Sequence, residues 1–154
     1  MKRFLPILFL VFSVGVGAET MDDLVKREGI YYKKFNDVPF TGNIQSKYNS
    51  GKVKTGRKDG PWIRYHNTGQ LKDKGTYKDG KREGAWVAYY SDGRLRFKGT
   101  YKDGEKHGQG TSIGRKYGKW KYVGEFKEGK FWEGVYSEGG TTATYSEGVK
   151  TPAN

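Results

Sequence analysis

The chain has 154 residues, with 29 Lys and Arg against 17 Asp and Glu, 24 Gly, 16% aromatic residues and no Cys. That is the length of one ordinary domain. Its aromatic content exceeds that of a disordered segment, and the lack of Cys excludes a disulfide framework, a thiolate metal site and a cysteine nucleophile. A net charge of +12 points to acidic partners.

At the start of the chain, Lys2 and Arg3 precede an apolar run from Phe4 to Val16, interrupted by Pro6 and Ser13, and Val16-Gly17-Ala18 supplies small residues before Glu19. Residues 1–18 therefore read as a Sec-type signal peptide cut after Ala18. At about 1.5 Å per residue the run falls short of a hydrocarbon core about 30 Å thick, which argues against a permanent anchor. Export would place the protein in the periplasm, at the cell surface or outside the cell. Nucleic acid then falls in rank as a partner, and anionic lipid, an envelope polymer or an acidic protein rises.

Residues 19–42 carry a short hairpin signal, Leu24-Val25-Lys26, Arg27-Glu28-Gly29 and Ile30-Tyr31-Tyr32-Lys33, followed by Asp37-Val38-Pro39-Phe40-Thr41-Gly42. A repeat array needs a terminal unit over its exposed end, and this segment is expected to be that cap.

From residue 43 to 148 the chain repeats. Gly75-Thr76-Tyr77-Lys78-Asp79-Gly80 returns unchanged as Gly99-Thr100-Tyr101-Lys102-Asp103-Gly104, and Trp62, Tyr65, Gly69 and Leu71 return in step as Trp86, Tyr89, Gly93 and Leu95. Degraded copies follow at Gly124–Gly129, Gly134–Gly139 and Ala143–Gly148. Within each unit the period is two, so the elements are strands. Leu95, Phe97, Gly99 and Tyr101 point one way, and Arg94, Arg96, Lys98, Thr100 and Lys102 the other. Leu71, Asp73, Gly75 and Tyr77 repeat the pattern, as do Trp120, Tyr122, Gly124 and Phe126. The recurrent mid-strand Gly leaves space for a neighbouring ring or backbone. Turns are expected at Asn49-Ser50-Gly51, Asn67-Thr68-Gly69, Asp79-Gly80, Ser91-Asp92-Gly93 and Asp103-Gly104. More than half of the acids stand directly before a Gly, among them Asp59, Glu83, Glu133 and Glu147, a position that speaks for turns rather than proton transfer. Residues 149–154 are expected to be a disordered tail. The fold class is all-β, an elongated antiparallel β-meander of stacked hairpins.

The Gly-x-Tyr-x-Asp-Gly block, followed by Lys81-Arg82-Glu83-Gly84 or Glu105-Lys106-His107-Gly108, resembles the MORN repeat (membrane occupation and recognition nexus), and the alternating Trp-x-x-Tyr and Lys-Gly-x-Tyr blocks look most like its bacterial antitoxin-like variant. Gly75, Tyr77, Gly80, Gly84, Trp86, Gly99, Tyr101, Gly104 and Gly108 carry the likeness as structural positions. The resemblance implies hairpins in an elongated twisted sheet with aromatics along its inside, and a non-enzymatic scaffold, a dimerisation module or a binder of acidic phospholipid. Gly110 stands where a third Trp would fall, which unsettles the register after residue 108.

No catalytic, metal or cofactor-binding residue emerges. His66 and His107 lack the spacing of a zinc site, and neither a nucleophile elbow nor a phosphate-cradling loop is present. The candidate site is a basic face opposite the aromatics, formed by Lys72, Lys74, Lys78, Arg94, Arg96, Lys98, Lys102, Lys119, Lys121 and Lys127. At i, i+2 spacing such cations stand about 7 Å apart, within a Debye length of about 8 Å, so their fields overlap. The expected function is that of an exported, non-catalytic binding protein engaging a protein partner or an anionic envelope surface. The alternative is an antitoxin-like or immunity protein docking a cognate toxin, and homo-oligomer formation stays open.

Overall fold

The computed structural model describes residues 18–114 and 120–152. Apart from Ala18, the expected signal peptide lies outside the described residues, as does Lys119. A one-turn 3-10 helix, Met21–Asp23, leads into β1 (Leu24–Arg27) and β2 (Ile30–Lys33), which form a separate hairpin. The remaining strands make a single antiparallel sheet in strict chain order: β3 (Gly42–Gln45), β4 (Asn49–Lys54), β5 (Arg57–Tyr65), β6 (Leu71–Lys78), β7 (Lys81–Tyr89), β8 (Leu95–Lys102), β9 (Glu105–Ile113), β10 (Trp120–Lys127), β11 (Lys130–Glu138), β12 (Thr141–Ser146) and β13 (Val149–Pro152). This is the expected β-meander, built from consecutive hairpins.

The turns explain the connectivity. At Asp79-Gly80 and Asp103-Gly104 both central residues have positive φ, 48° and 84° in the first and 52° and 96° in the second. That is the twist of a two-residue turn which matches the right-handed twist of its flanking strands. Three expectations need correction. Asn49-Ser50-Gly51 lies inside β4, because the chain reverses earlier, where Ser46 N–H donates to the Asn49 carbonyl at 2.8 Å. Asp59, Glu83 and Glu133 lie within β5, β7 and β11 rather than in hairpin turns. Val149–Pro152, expected to be disordered, pairs with β12 as the final strand. All four of its residues are exposed, so the pairing rests on backbone bonds that no side-chain alternation announces.

One cross-strand row organises the inner face. Gly51 faces Trp62, Trp62 faces Gly75, Gly75 faces Trp86 and Trp86 faces Gly99. Each indole lies flat across the glycine beside it. A Cβ at Gly75 would come within 1.9 Å of Trp86 Cε3, and one at Gly51 within 2.3 Å of Trp62 Cδ2. The two indoles are almost wholly buried, at 2% and 3% exposure. The third unit has Gly110 opposite Gly99, and there Phe97 and Phe126 close the gap, their rings 6.0 Å apart and edge-on. Edge-on contacts run on from Trp62 to Tyr77, Trp86 and Tyr101 at centroid distances of 6.1, 5.2 and 5.9 Å. Such pairs add about 0.5–1.5 kcal/mol each beyond the area they bury.

At the N-terminal end, Leu24 and Phe40 pack with Ile44, Val53 and Trp62. The first hairpin is tied to the sheet by Tyr31 N–H to the Gly56 carbonyl at 2.8 Å, Gly56 N–H to the Phe40 carbonyl at 2.7 Å and Phe40 N–H to the Tyr31 carbonyl at 2.9 Å. Glu19 bonds along the free side of β3, at Asn43 and Gln45.

Asp73, which interrupts the apolar pattern of β6, is 2% exposed and accepts two bonds from the Arg64 guanidinium, at 2.8 and 2.7 Å. One repeat later the same facing pair is Ala88 and Phe97. Removing one partner of a buried pair strands the other charge and costs about 3–5 kcal/mol, whereas an apolar pair of similar volume can be neutral.

Two predictions follow for urea unfolding. Gly75→Ala lowers stability by about 1–3 kcal/mol through overpacking against Trp86, while Thr76→Ala on the opposite face stays within about 0.5 kcal/mol. Asp73→Ala costs about 3–5 kcal/mol, and Arg64→Ala with Asp73→Phe, copying the second repeat, recovers most of that loss.

Candidate functional site: two cationic faces of one sheet

The outer face is read from the same register. Along one row Ile63 faces Lys74, Lys74 faces Val87, Val87 faces Lys98 and Lys98 faces Thr111, and the row continues through Val123 to Val135. Lys72, Lys74 and Lys78 on β6, Arg96, Lys98 and Lys102 on β8, and Lys121 and Lys127 on β10 are all exposed. Arg94 instead stands at the turn before β8, where it pairs with Asp92 at 3.0 Å. Lys127 lies over the Trp132 ring at 4.4 Å.

The outer face is therefore banded rather than uniformly basic. Cations occupy the strands that return from each turn, while Pro61 and Ile63 on β5 and Ala85 and Val87 on β7 form apolar bands between them. Lys74 and Lys98 stand two strands apart, about 10 Å. Between the bands runs an open, largely apolar groove of about 550 Å³, with Thr76 and Thr100 at its margin.

The inner face holds cations that the alternation of β6, β8 and β10 did not reveal. Lys58 Nζ lies 4.0 Å from the Trp62 ring centre and 5.2 Å from that of Tyr77. The Arg82 guanidinium lies 4.9 Å from Trp86 and 5.1 Å from Tyr101, and Lys106 Nζ lies 4.6 Å from Phe97 and 5.2 Å from Phe126. A cation over a ring gains about 0.5–1 kcal/mol when exposed and about 2 when desolvated. Here it also covers the ring with its methylene stem. The signal was present in the sequence, because counting back by twos from Trp62, Trp86 and Gly110 reaches Lys58, Arg82 and Lys106.

Burial, then the Arg64 charge beside it, pulls the Lys58 ammonium down from 10.5 to about 8; Lys26 and Arg82 act in the same sense and Asp73 opposes them. Burial also lowers Lys106, helped by Arg96 and Arg82. At Arg64 burial works against the charge, but the hydrogen bonds and field of Asp73 outweigh it and hold the guanidinium above its ordinary value. His66 Nε2 lies 3.1 Å from the Tyr89 carbonyl. Among the described residues no group of three or more His, Cys, Asp or Glu converges on a metal-sized site.

Comparison with known families places this geometry. The MORN repeat variant matches the chain twice, over 58–79 and 82–103. Over these two segments the chain is similar to the MORN repeat. Each matched MORN unit opens on an inner-face cation, Lys58 or Arg82, and closes on the positive-φ turn aspartate, Asp79 or Asp103. The MORN β-meander is a non-catalytic type of repeat, and it implies binding or scaffolding. No curated protein matches the chain.

The lowered Lys58 value gives a stability prediction of definite sign. Between pH 8 and 10.5 the unfolded chain holds a proton at Lys58 that the folded chain has released, so stability rises with pH across that window, and the penalty for a buried charge returns in full below pH 8. The urea midpoint should rise from pH 7.5 to 9.5, and Lys58→Met should flatten that rise.

Proposed function

We propose that this protein is an exported, non-catalytic MORN-repeat binding protein whose outer face docks on an anionic surface of the cell envelope. The observation that carries the reading is the banded row Ile63, Lys74, Val87 and Lys98, which sets ammonium groups without an ion pair among the described residues beside the exposed Ile63 and the half-buried Val87. Near an anionic membrane each such cation contributes about 1 kcal/mol, so a few hold a protein reversibly without a pocket. The apolar bands add contact area once the charges have brought the surfaces together. The signal-peptide pattern of residues 1–18 supports export, and the non-catalytic character of the repeat supports a binding role.

The groove between Ile63 and Val87 favours a second reading, an acidic protein partner that inserts apolar side chains between Lys74 and Lys98. Vesicle pelleting separates the two. On the membrane reading, vesicles rich in anionic lipid retain the chain at low salt and release it as salt rises. Lys74→Gln with Lys98→Gln then weakens retention by about 2 kcal/mol, roughly thirty-fold. No retention at low salt removes the membrane reading and leaves the protein partner.

A further inference from the structure

The three inner-face cations hold equivalent places in successive repeats, yet their polar ends meet different partners. Arg82 donates to Tyr101 Oη at 3.1 Å and Lys106 donates to Ser112 Oγ at 3.0 Å. The residue six places after each cation is Arg64 in the first unit, Ala88 in the second and Ser112 in the third. Where Lys106 finds a hydroxyl, Lys58 therefore faces a second cation. Its half-buried ammonium makes no hydrogen bond or ion pair with any described residue.

That ammonium lines a pocket of about 290 Å³ found at the first repeat, where the β1–β2 hairpin stands beside the sheet. Lys26 comes from β1, Arg57 and Lys58 from β5, and Lys81 from β7. None of the four forms an ion pair among the described residues. Asp79 is the one carboxylate in the lining, and Tyr31 and Tyr77 supply ring walls.

We propose that this pocket binds the phosphate group of a small phosphorylated ligand. A phosphate monoester carries a charge of about −1.5 to −2 and three acceptor oxygens, which suits a site with four cations and one acid better than a single carboxylate does. Arg57 offers a planar fork for paired oxygens, and the lysines are point charges that can converge on the rest. The volume sits at the lower edge of ligand pockets, which span about 300–1,000 Å³, so the body attached to the phosphate is small and rests on the tyrosine rings. This site lies at the Asp79-Gly80 turn end of the sheet, beside the β1–β2 hairpin, and shares no lining residue with the groove of the outer bands.

The test is a titration of the full chain with inorganic phosphate and with glycerol phosphate, at ionic strength held constant by sodium chloride, followed by thermal unfolding and by calorimetry. Saturable binding that raises the unfolding temperature is expected. Lys26→Gln with Lys81→Gln, two exposed positions that leave the core untouched, should weaken it at least ten-fold, and Lys58→Met should abolish it. Lys74→Gln with Lys98→Gln on the outer face should leave it unchanged. A response equalled by chloride, or an affinity unaltered in the Lys26→Gln, Lys81→Gln chain, overturns the proposal. Phosphatidate vesicles identify the source. In the outer-face variant, retention that depends on Lys26 and Lys81 assigns the phosphate to a lipid headgroup. Binding of glycerol phosphate without vesicle retention assigns it to a soluble molecule. Because the outer-face variant keeps the pocket, failure of envelope docking and failure of phosphate binding are read separately.

Discussion

The fit of an indole against a glycine on the neighbouring strand is the constraint from which the rest of this sheet follows. Beyond the β1–β2 hairpin no second layer among the described residues covers the apolar side of the sheet, so its rings must lie down on their own backbone. A ring can do so only where the adjacent strand presents no Cβ. Trp62 over Gly51 and Trp86 over Gly75 therefore pin the register of β4 through β7. With a side-chain period of two, a slip by one residue would turn the rings and the cations over them outward and the outer-face lysines inward. The same pairs thereby decide which cations face solvent and which are folded over the rings.

Covering those rings falls to long charged side chains. Lys58, Arg82 and Lys106 lay their stems and charges across the aromatic row, and the repeat thus spends on each unit a cation that shields the core on one side and meets water on the other. The units differ in what stands next to that cation. The first buries the Arg64–Asp73 pair, the second replaces it with Ala88 and Phe97, and the third loses its indole to Gly110 and fills the space with Phe126. The repeat conserves backbone geometry and ring placement while it varies the chemistry beside each cation, which is how an array of near-identical hairpins comes to hold one distinctive pocket.

Much of this was legible in the chain alone. The step of 24 fixed the hairpins, Leu24 to Lys33 announced the first of them, and alternation in β6 and β8 sorted Lys74 and Lys98 from Tyr77 and Phe97. What was misread has local causes. Asn49-Ser50-Gly51 has the composition of a turn, but Gly51 is needed inside the strand to receive Trp62. Glu83 precedes Gly84 at a strand irregularity, and Glu133 precedes Gly134, which faces Gly124 inside the sheet. Val149–Pro152 pairs through backbone alone. Alternation in β6, β8 and β10, where charge and ring occupy opposite faces, does not announce the inner cations. The partner strands place both on one face, and a cation beside an indole looks out of place until the ring it covers is identified. The phosphate pocket could not be read from spacing, since Lys26 and Lys81 meet only when the hairpin folds back on the sheet.

The two margins of the sheet are unequal. Along β3 the backbone groups at Asn43 and Gln45 are already bonded to Glu19, whereas β13 has only β12 as a neighbour among the described residues. A margin whose backbone groups are already bonded is a poor template for another chain, so Glu19 blunts the β3 end of the sheet.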